Sequence, residues 1–421
     1  MRPGLLIVGA SLLLTATSGV VIAQRPDAFG ASKEHPAIQY SRTPADDPIA
    51  QLNRRLDAGE ASLSASGRSG YLSSVLSALR VPVESQVLVF SQGSVQGDNI
   101  SYLNPRALFF TDSLAIGWVR GTDVLEAVAI DPRQGAVFYT LDQKEGGDVR
   151  FKRDDSCLTC HLSWDTLAVP GLLTTSMYPL PEDRNAYANG FVTDHRSPFD
   201  QRWGGWYVTG NHGGARHIGN VPVMPVDKGK GTITPGNRAV ESLAGLLDLD
   251  GIPTPYSDVV SLLVLNHQTH MTNLIIRLGW EARVAERDGA ADTSRVEKAA
   301  ADLVDYMLFV DEAGLLGPVK GTSGFAERFA ALGPADSRGR SLREFDLTRR
   351  TFRYPCSYMI YSPAFEALPA AAKAAAYDRL WAVLSGRVTG AKYRRLTAAD
   401  RQAVIEILRE TKHDLPATFR S

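Results

Sequence analysis

The chain has 421 residues, of which 44% are hydrophobic and 22% are charged, close to the average for globular proteins. This composition excludes a collagen-like repeat, a largely disordered chain and a membrane protein with many spans. The 45 Lys and Arg residues balance the 46 Asp and Glu residues, so the charge gives no reason to expect binding to nucleic acid or to an anionic membrane. Three cysteines are too few for a disulfide-stapled fold.

Residues 1–23 predict a secretory signal peptide. Arg2 supplies a positive start, an apolar run covers residues 5–14, and Val21-Ile22-Ala23 loosely fits the small residues of a cleavage site. The apolar run is short for a transmembrane helix, so we expect cleavage and a periplasmic protein without a transmembrane anchor. An uncleaved N-terminal anchor is the alternative.

The next two regions differ in pattern. Residues 24–84 predict an N-terminal segment with short helices near residues 49–56 and 71–79. In residues 85–150, short β-branched and aromatic runs alternate with Asp, Gly and Pro, which is typical of antiparallel strands. The predicted strands are residues 86–90, 107–110, 115–119, 124–130 and 135–139.

The second half of the chain begins with loops and continues with helices. Residues 151–235 are rich in Gly, Pro, Asp, Arg and aromatic residues and show little periodicity, so we expect a loop region that carries the functional site. Residues 236–421 predict helices, because apolar residues recur at helical spacing after Ser257. Ser294 with Glu297, and Thr397 with Asp400, resemble capping boxes. The predicted fold class is α+β, with an antiparallel strand-rich N-terminal half, a loop region that carries the site and a helical C-terminal half.

One pentapeptide carries the chemistry. Cys157, Cys160 and His161 form the C-x-x-C-H signature of c-type haem attachment. Two thiols at this spacing can add to the two vinyl groups of one porphyrin, and the following histidine then lies under the ring, where it can bind the iron. We therefore predict one covalent haem c, with His161 as the proximal iron ligand.

Three other interpretations of the two cysteines remain open. A thioredoxin-like site requires a βαβ context, whereas the residues before Cys157 suggest a polar loop. A zinc site needs further thiols, and only Cys356 is available. A structural disulfide is the third possibility. Cys356 lies beside aromatic residues, so we expect it to be a buried small hydrophobe rather than a reactive thiol.

Several further motifs resemble those of large, single-haem, exported bacterial proteins with a cytochrome c domain and no assigned substrate. The motifs are Val169-Pro170-Gly171, residues 194–199 (DHRSPF), residues 202–210 (RWGGWYVTG) with His212-Gly213, residues 267–269 (HQT) and residues 353–358 (RYPCSY). The resemblance covers the chain from about Pro36 onwards. It implies haem binding and supplies no reaction. In such sequences an acidic residue is associated with the position before His-Gln-Thr, whereas this chain has Asn266 there.

The second axial position of the iron has two candidates, His212 and His217. Both lie in residues 203–220, a stretch with six glycines that is flexible enough to approach a flat cofactor. Trp203, Trp206 and Tyr207 could line the porphyrin or belong to the core. We expect His267 to be a core histidine; the alternatives are a haem-side role and a separate metal site with His270 that has no clear third ligand.

The predicted function is electron transfer in the periplasm, with an unidentified redox partner protein and no nucleic acid. The alternatives are a haem enzyme, peroxidase-like or another oxidoreductase, with an open distal site, and a haem-based sensor or binding subunit.

Overall fold

The computed structural model describes residues 28–144, 149–177, 190–221, 236 and 238–420. It confirms the α+β class, with a strand-rich N-terminal half and a helical C-terminal half. The predicted signal peptide, residues 1–23, lies outside the described residues. None of the helices in the described ranges combines the length and the apolar character that crossing a membrane requires.

Two short helices open the described chain, close to where the sequence predicts them. Helix α1 (Pro48–Asp57) begins at Asp47, whose carboxylate accepts hydrogen bonds from the backbone of Ile49 and Ala50. Helix α2 (Leu72–Ala78) follows. Both bury their apolar side chains against one face of the sheet.

The sheet is an antiparallel meander of six strands. In order across the sheet these are β1 (Val87–Val89), β2 (Arg106–Phe110), β3 (Leu114–Trp118), β4 (Val124–Asp131), β5 (Gly135–Asp142) and β6 (Phe151–Arg153). The first five match the predicted runs. The sixth corrects the expectation of a polar loop before Cys157, because Phe151 is buried and pairs with Leu141 of β5. The sheet therefore extends beyond residue 150.

The two faces of the sheet have different environments. One face packs on α1 and α2 through large apolar side chains such as Phe109, Ile116 and Trp118. The opposite face carries Leu108, Ala115, Glu126, Val128 and Phe138, which the strand registers place side by side. Four of these five side chains are only half-buried, so the middle of this face is partly open.

The helical half is built around one long helix. Helix α4 (Val259–Asp288) is capped by Asp258, and most of its side chains are buried. The other elements here are α5 (Ser294–Met307), α6 (Phe325–Ala330), α7 (Pro363–Glu366), α8 (Ala370–Leu384) and α9 (Ala398–Thr411).

One of the two predicted helix caps is wrong. The capping box of Thr397 and Asp400 is confirmed at the start of α9. Ser294, however, is the first residue of α5 rather than its cap. The position before it belongs to Thr293, whose hydroxyl bonds the Glu297 carboxylate instead of the helix backbone.

The intervening residues connect the sheet to α4. They contain the one-turn helix α3 (Leu158–His161) and the strand pair β7 (Thr175–Ser176) and β8 (Phe191–Val192). Strand β9 (Asn211–His212) pairs with β10 (Val319–Lys320) from the helical half.

Candidate functional site

The segment that holds the two thiols and the histidine is a tight helical turn. Asp154 caps it by accepting a hydrogen bond from the backbone of Ser156, and α3 follows. Buried Leu158 anchors the turn among apolar residues that include Phe138 and Val169. Cys157 is half-buried, Cys160 is exposed and His161 is half-buried. Their offsets of three and four residues place all three side chains near one face of the turn.

The imidazole of His161 is held in one orientation and one tautomer. Its Nδ1 lies 2.8 Å from the carbonyl oxygen of Gly171. Because a carbonyl can only accept, Nδ1 carries the proton and Nε2 keeps its lone pair. Nε2 has no hydrogen bond within the described part of the chain, and it is not one of the fully buried nitrogens. Burial lowers the pKa of His161, so the ring is neutral at pH 7.

Helix α4 fixes the carbonyl that holds His161. The side chain of Asn273 accepts a hydrogen bond from the Leu172 N–H and donates one to the Leu172 carbonyl, each at 2.8 Å. Gly171 also donates its N–H to the His161 carbonyl at 2.9 Å. A Cβ on Gly171 would lie 2.4 Å from Oδ1 of Asn273, so only glycine fits there.

The Cys157 thiol does not have the properties of a redox-active C-x-x-C. Burial, with the negative charges of Asp154 and Glu126, raises the pKa of Cys157 to about 11, whereas exchange chemistry requires a lowered one. A strand does precede the motif, contrary to the predicted polar loop, and the motif residues themselves form the short helix α3. That strand is antiparallel and the helix has four residues, so the flanking elements do not form a βαβ unit.

Zinc and disulfide interpretations also lack support. All three cysteines of the chain are free. Cys356 is fully buried in the helical core, where burial raises its pKa to about 12, in agreement with the predicted small hydrophobe. Within the described ranges, no group of three or more His, Cys, Asp or Glu side chains is arranged to hold a metal ion.

A partly open apolar surface adjoins the motif. We define the sheet strip as the half-buried side chains Leu108, Ala115 and Val128, with Phe138 at its end. The Phe138 ring lies 4.6 Å from the His161 ring, measured between centres. Leu162 and Leu172 are also only partly buried nearby.

A charged pair lies beside this strip. Arg106 and Glu126 form an ion pair at 2.9 Å, and both charges act on the pKa of His161. Nε of Arg106 is buried and has no hydrogen-bond partner in the part of the chain that the structure describes. A flat apolar ring with carboxylate substituents, which describes haem, would meet an open imidazole nitrogen, two free thiols, an apolar surface and the guanidinium of Arg106. The residues fit the group.

His212 and His217 lie together, but no described contact joins either to His161. Their ring centres are 4.7 Å apart and their planes nearly perpendicular. The backbone just before them bonds Val259 at the start of α4, whereas Leu172 bonds Asn273. These helix positions are 14 residues apart, or roughly 21 Å along the axis. The distal assignment of either histidine stays a prediction.

The protonation of His217 adds a constraint. Its Nδ1 accepts a hydrogen bond from the Gly219 N–H at 3.0 Å, so in the neutral ring the proton sits on Nε2. Binding iron through Nε2 would require this hydrogen bond to break. Within the described ranges, both nitrogens of His212 are buried without a hydrogen-bond partner, as is Nε2 of His217.

The aromatic residues of the 202–210 motif are part of the core. Trp203 and Trp206 are buried, and each indole N–H has a protein acceptor, Asn266 and the Thr175 carbonyl respectively. The Tyr207 hydroxyl donates to the Tyr102 carbonyl. Asn266 therefore acts here as a hydrogen-bond acceptor for Trp203.

Sequence reasoning did not single out His195, which joins His267 and His270 in what we call the histidine cluster. Nδ1 of His195 lies 2.8 Å from Nδ1 of His267, and Nε2 of His267 lies 2.7 Å from the Ser357 hydroxyl. Tyr306 stacks on His195. His267 is 1% exposed with both nitrogens bonded, which agrees with the predicted core histidine. His195 lies in the 194–199 motif, but its pairing has no local signal in the sequence, because its partner is 72 residues away.

Arg106 and Asn273 are further site residues that sequence reasoning missed.

Comparisons with models of protein families, with curated protein sequences and with solved structures give no match for this chain.

Proposed function

We propose that this chain is an exported c-type cytochrome that transfers electrons in the periplasm, with one haem c attached through Cys157 and Cys160 and bound by His161. The observation that carries the proposal is the hydrogen bond from Nδ1 of His161 to the Gly171 carbonyl. Histidines that bind metals through one nitrogen commonly donate the other N–H to a carbonyl or carboxylate, which fixes the tautomer and raises the basicity of the ligand. The C-x-x-C-H sequence and this tautomer are independent of each other.

The residues of the chain have separate roles in holding the group. Cys157 and Cys160, both free, supply the S–H bonds that add across two vinyl groups. The sheet strip would give apolar contact to one part of the ring, and Arg106 would bind a propionate. When bound, haem supplies a one-electron redox centre.

Export and partnership follow from the same proposal. The predicted signal peptide at residues 1–23 is consistent with haem attachment outside the cytoplasm. Electron transfer requires a redox partner protein, and exposed Cys160 lies on the side of the motif that such a partner can approach.

The proposal is tested by optical spectra of the purified protein, oxidised and reduced, with and without CO. Electron transfer predicts a six-coordinate low-spin spectrum in both oxidation states and no rapid reaction with CO. A five-coordinate, high-spin ferrous form that binds CO quickly would contradict electron transfer and favour the haem enzyme or the sensor.

The distal prediction has its own test in the same assay. His212→Ala, His217→Ala and His267→Ala are compared with wild type for CO rebinding and midpoint potential. An effect of either of the first two supports a distal role for residues 203–220. An effect confined to His267→Ala contradicts it.

A further inference from the structure

The Gly171 carbonyl, which bonds the imidazole of His161, is held in place by a side chain of α4. Gly171 and Leu172 are consecutive, and Asn273 bonds both the N–H and the carbonyl of Leu172. The Asn273 side chain is almost completely buried, so water does not compete for these bonds. The side-chain amide of Asn273, on α4, therefore holds the backbone at Leu172, directly after Gly171.

The Asn273 side chain lies in close contact with Gly171. Oδ1 of Asn273 would lie 2.4 Å from a Cβ on Gly171, and the Thr166 side chain would lie 3.0 Å away. Gly171 also bonds His161 twice, through its N–H to the His161 carbonyl and through its carbonyl to the imidazole. A displacement of Leu172 is thus transmitted directly to the ring of His161.

We propose that Asn273 is a positioning residue for the axial imidazole, which tunes the redox potential of the haem by holding the Gly171 carbonyl on Nδ1 of His161. This inference rests on the proposed function. A strong Nδ1–H to carbonyl bond makes Nε2 more basic, and a more basic ligand stabilises the ferric state. Losing the amide relaxes the carbonyl, weakens that bond and raises the midpoint potential.

A matched control lies one turn earlier on the same helix. The Thr269 hydroxyl is 2.7 Å from that of Thr174, so it ties α4 to the same chain segment but three residues beyond Gly171. Thr269 is also buried. Thr269→Val keeps the shape of the side chain and removes one hydrogen bond, so it reproduces a loss of stability without touching the His161 contact.

The experiment measures the midpoint potential and the ferric EPR spectrum of holoprotein for wild type, Asn273→Ala, Asn273→Ser and Thr269→Val. Asn273→Ser is the milder change and serves if the alanine variant does not mature. We expect a higher potential and a broader EPR spectrum for the Asn273 variants, and wild-type values for Thr269→Val.

Two results would overturn the inference in different ways. If the potential of the Asn273 variants equals that of wild type, or if Thr269→Val shifts it equally, Asn273 has only a structural role and the proposed function stands. If wild type itself carries no covalent haem, the proposed function fails and the inference fails with it.

Discussion

The motif segment, residues 154–161, and the histidine cluster both place imidazoles near α4, yet they leave the rings in opposite states. His161 has one nitrogen committed to the backbone and the other open beside two free thiols. His267 is sealed in the core, and protein groups occupy both of its nitrogens. A histidine that binds a metal needs a nitrogen with a free lone pair, which His161 has and His267 lacks.

The largest expected difference between the motif segment and the histidine cluster is that substitutions in the motif cause loss of the haem. Changing Cys157 and Cys160 together to Ala removes both thiols, so we expect no haem on the denatured chain, whereas either single change weakens its retention. Haem staining of a denaturing gel measures this. Cys356→Ala is the control, because that thiol is buried in the helical core, and it should stain like wild type. Full staining of the double variant would contradict the attachment.

Replacing the axial ligand gives the next largest effect. His161→Ala removes the only nitrogen that the motif offers to the iron, while the thiols remain. We expect a changed spin state and a shifted potential, with haem staining retained. The optical spectrum and a redox titration check this. An unchanged Soret band together with an unchanged potential would show that His161 is not the ligand.

A substitution in the histidine cluster should lower the free energy of unfolding and leave the haem spectrum unchanged. His267→Ala leaves a cavity and deprives His195 and Ser357 of hydrogen bonds, so we expect a loss of about 3 kcal/mol in the free energy of unfolding. Denaturant titration of the holoprotein measures this. The Soret band should not move, and a shift as large as that of His161→Ala would place the cluster at the haem.

The sequence predicts the regular parts of the molecule better than the site. Alternating β-branched runs and helical periodicity depend on neighbouring residues, so five strands and the long helices are predicted correctly. Strand β6 is missed because Phe-Lys-Arg has little apolar pattern and is ordered by pairing with β5. The C-x-x-C-H spacing indicates Cys157, Cys160 and His161. Asn273 and Arg106 act through contacts with distant residues, for which a single sequence has no local signal.

The smallest expected effect is a change in the pH dependence of the free energy of unfolding. Burial lowers the pKa of His267 to about 3, while the unfolded chain has an ordinary histidine pKa of about 6.5. Between these values the unfolded state binds the extra proton, so stability falls as the pH falls, by about 1.4 kcal/mol per pH unit for this group. His267→Gln should reduce the slope of unfolding free energy against pH by that amount between pH 6 and 4. Equal slopes for wild type and His267→Gln would contradict neutral burial of His267.

Covalent attachment at the motif is tested most directly by the intact mass of the denatured protein, made with c-type maturation machinery. We predict the mass of the polypeptide plus one haem, with the added mass on the peptide that contains Cys157 and Cys160. The polypeptide mass alone, or that mass less two hydrogens from a disulfide between these cysteines, would contradict the account.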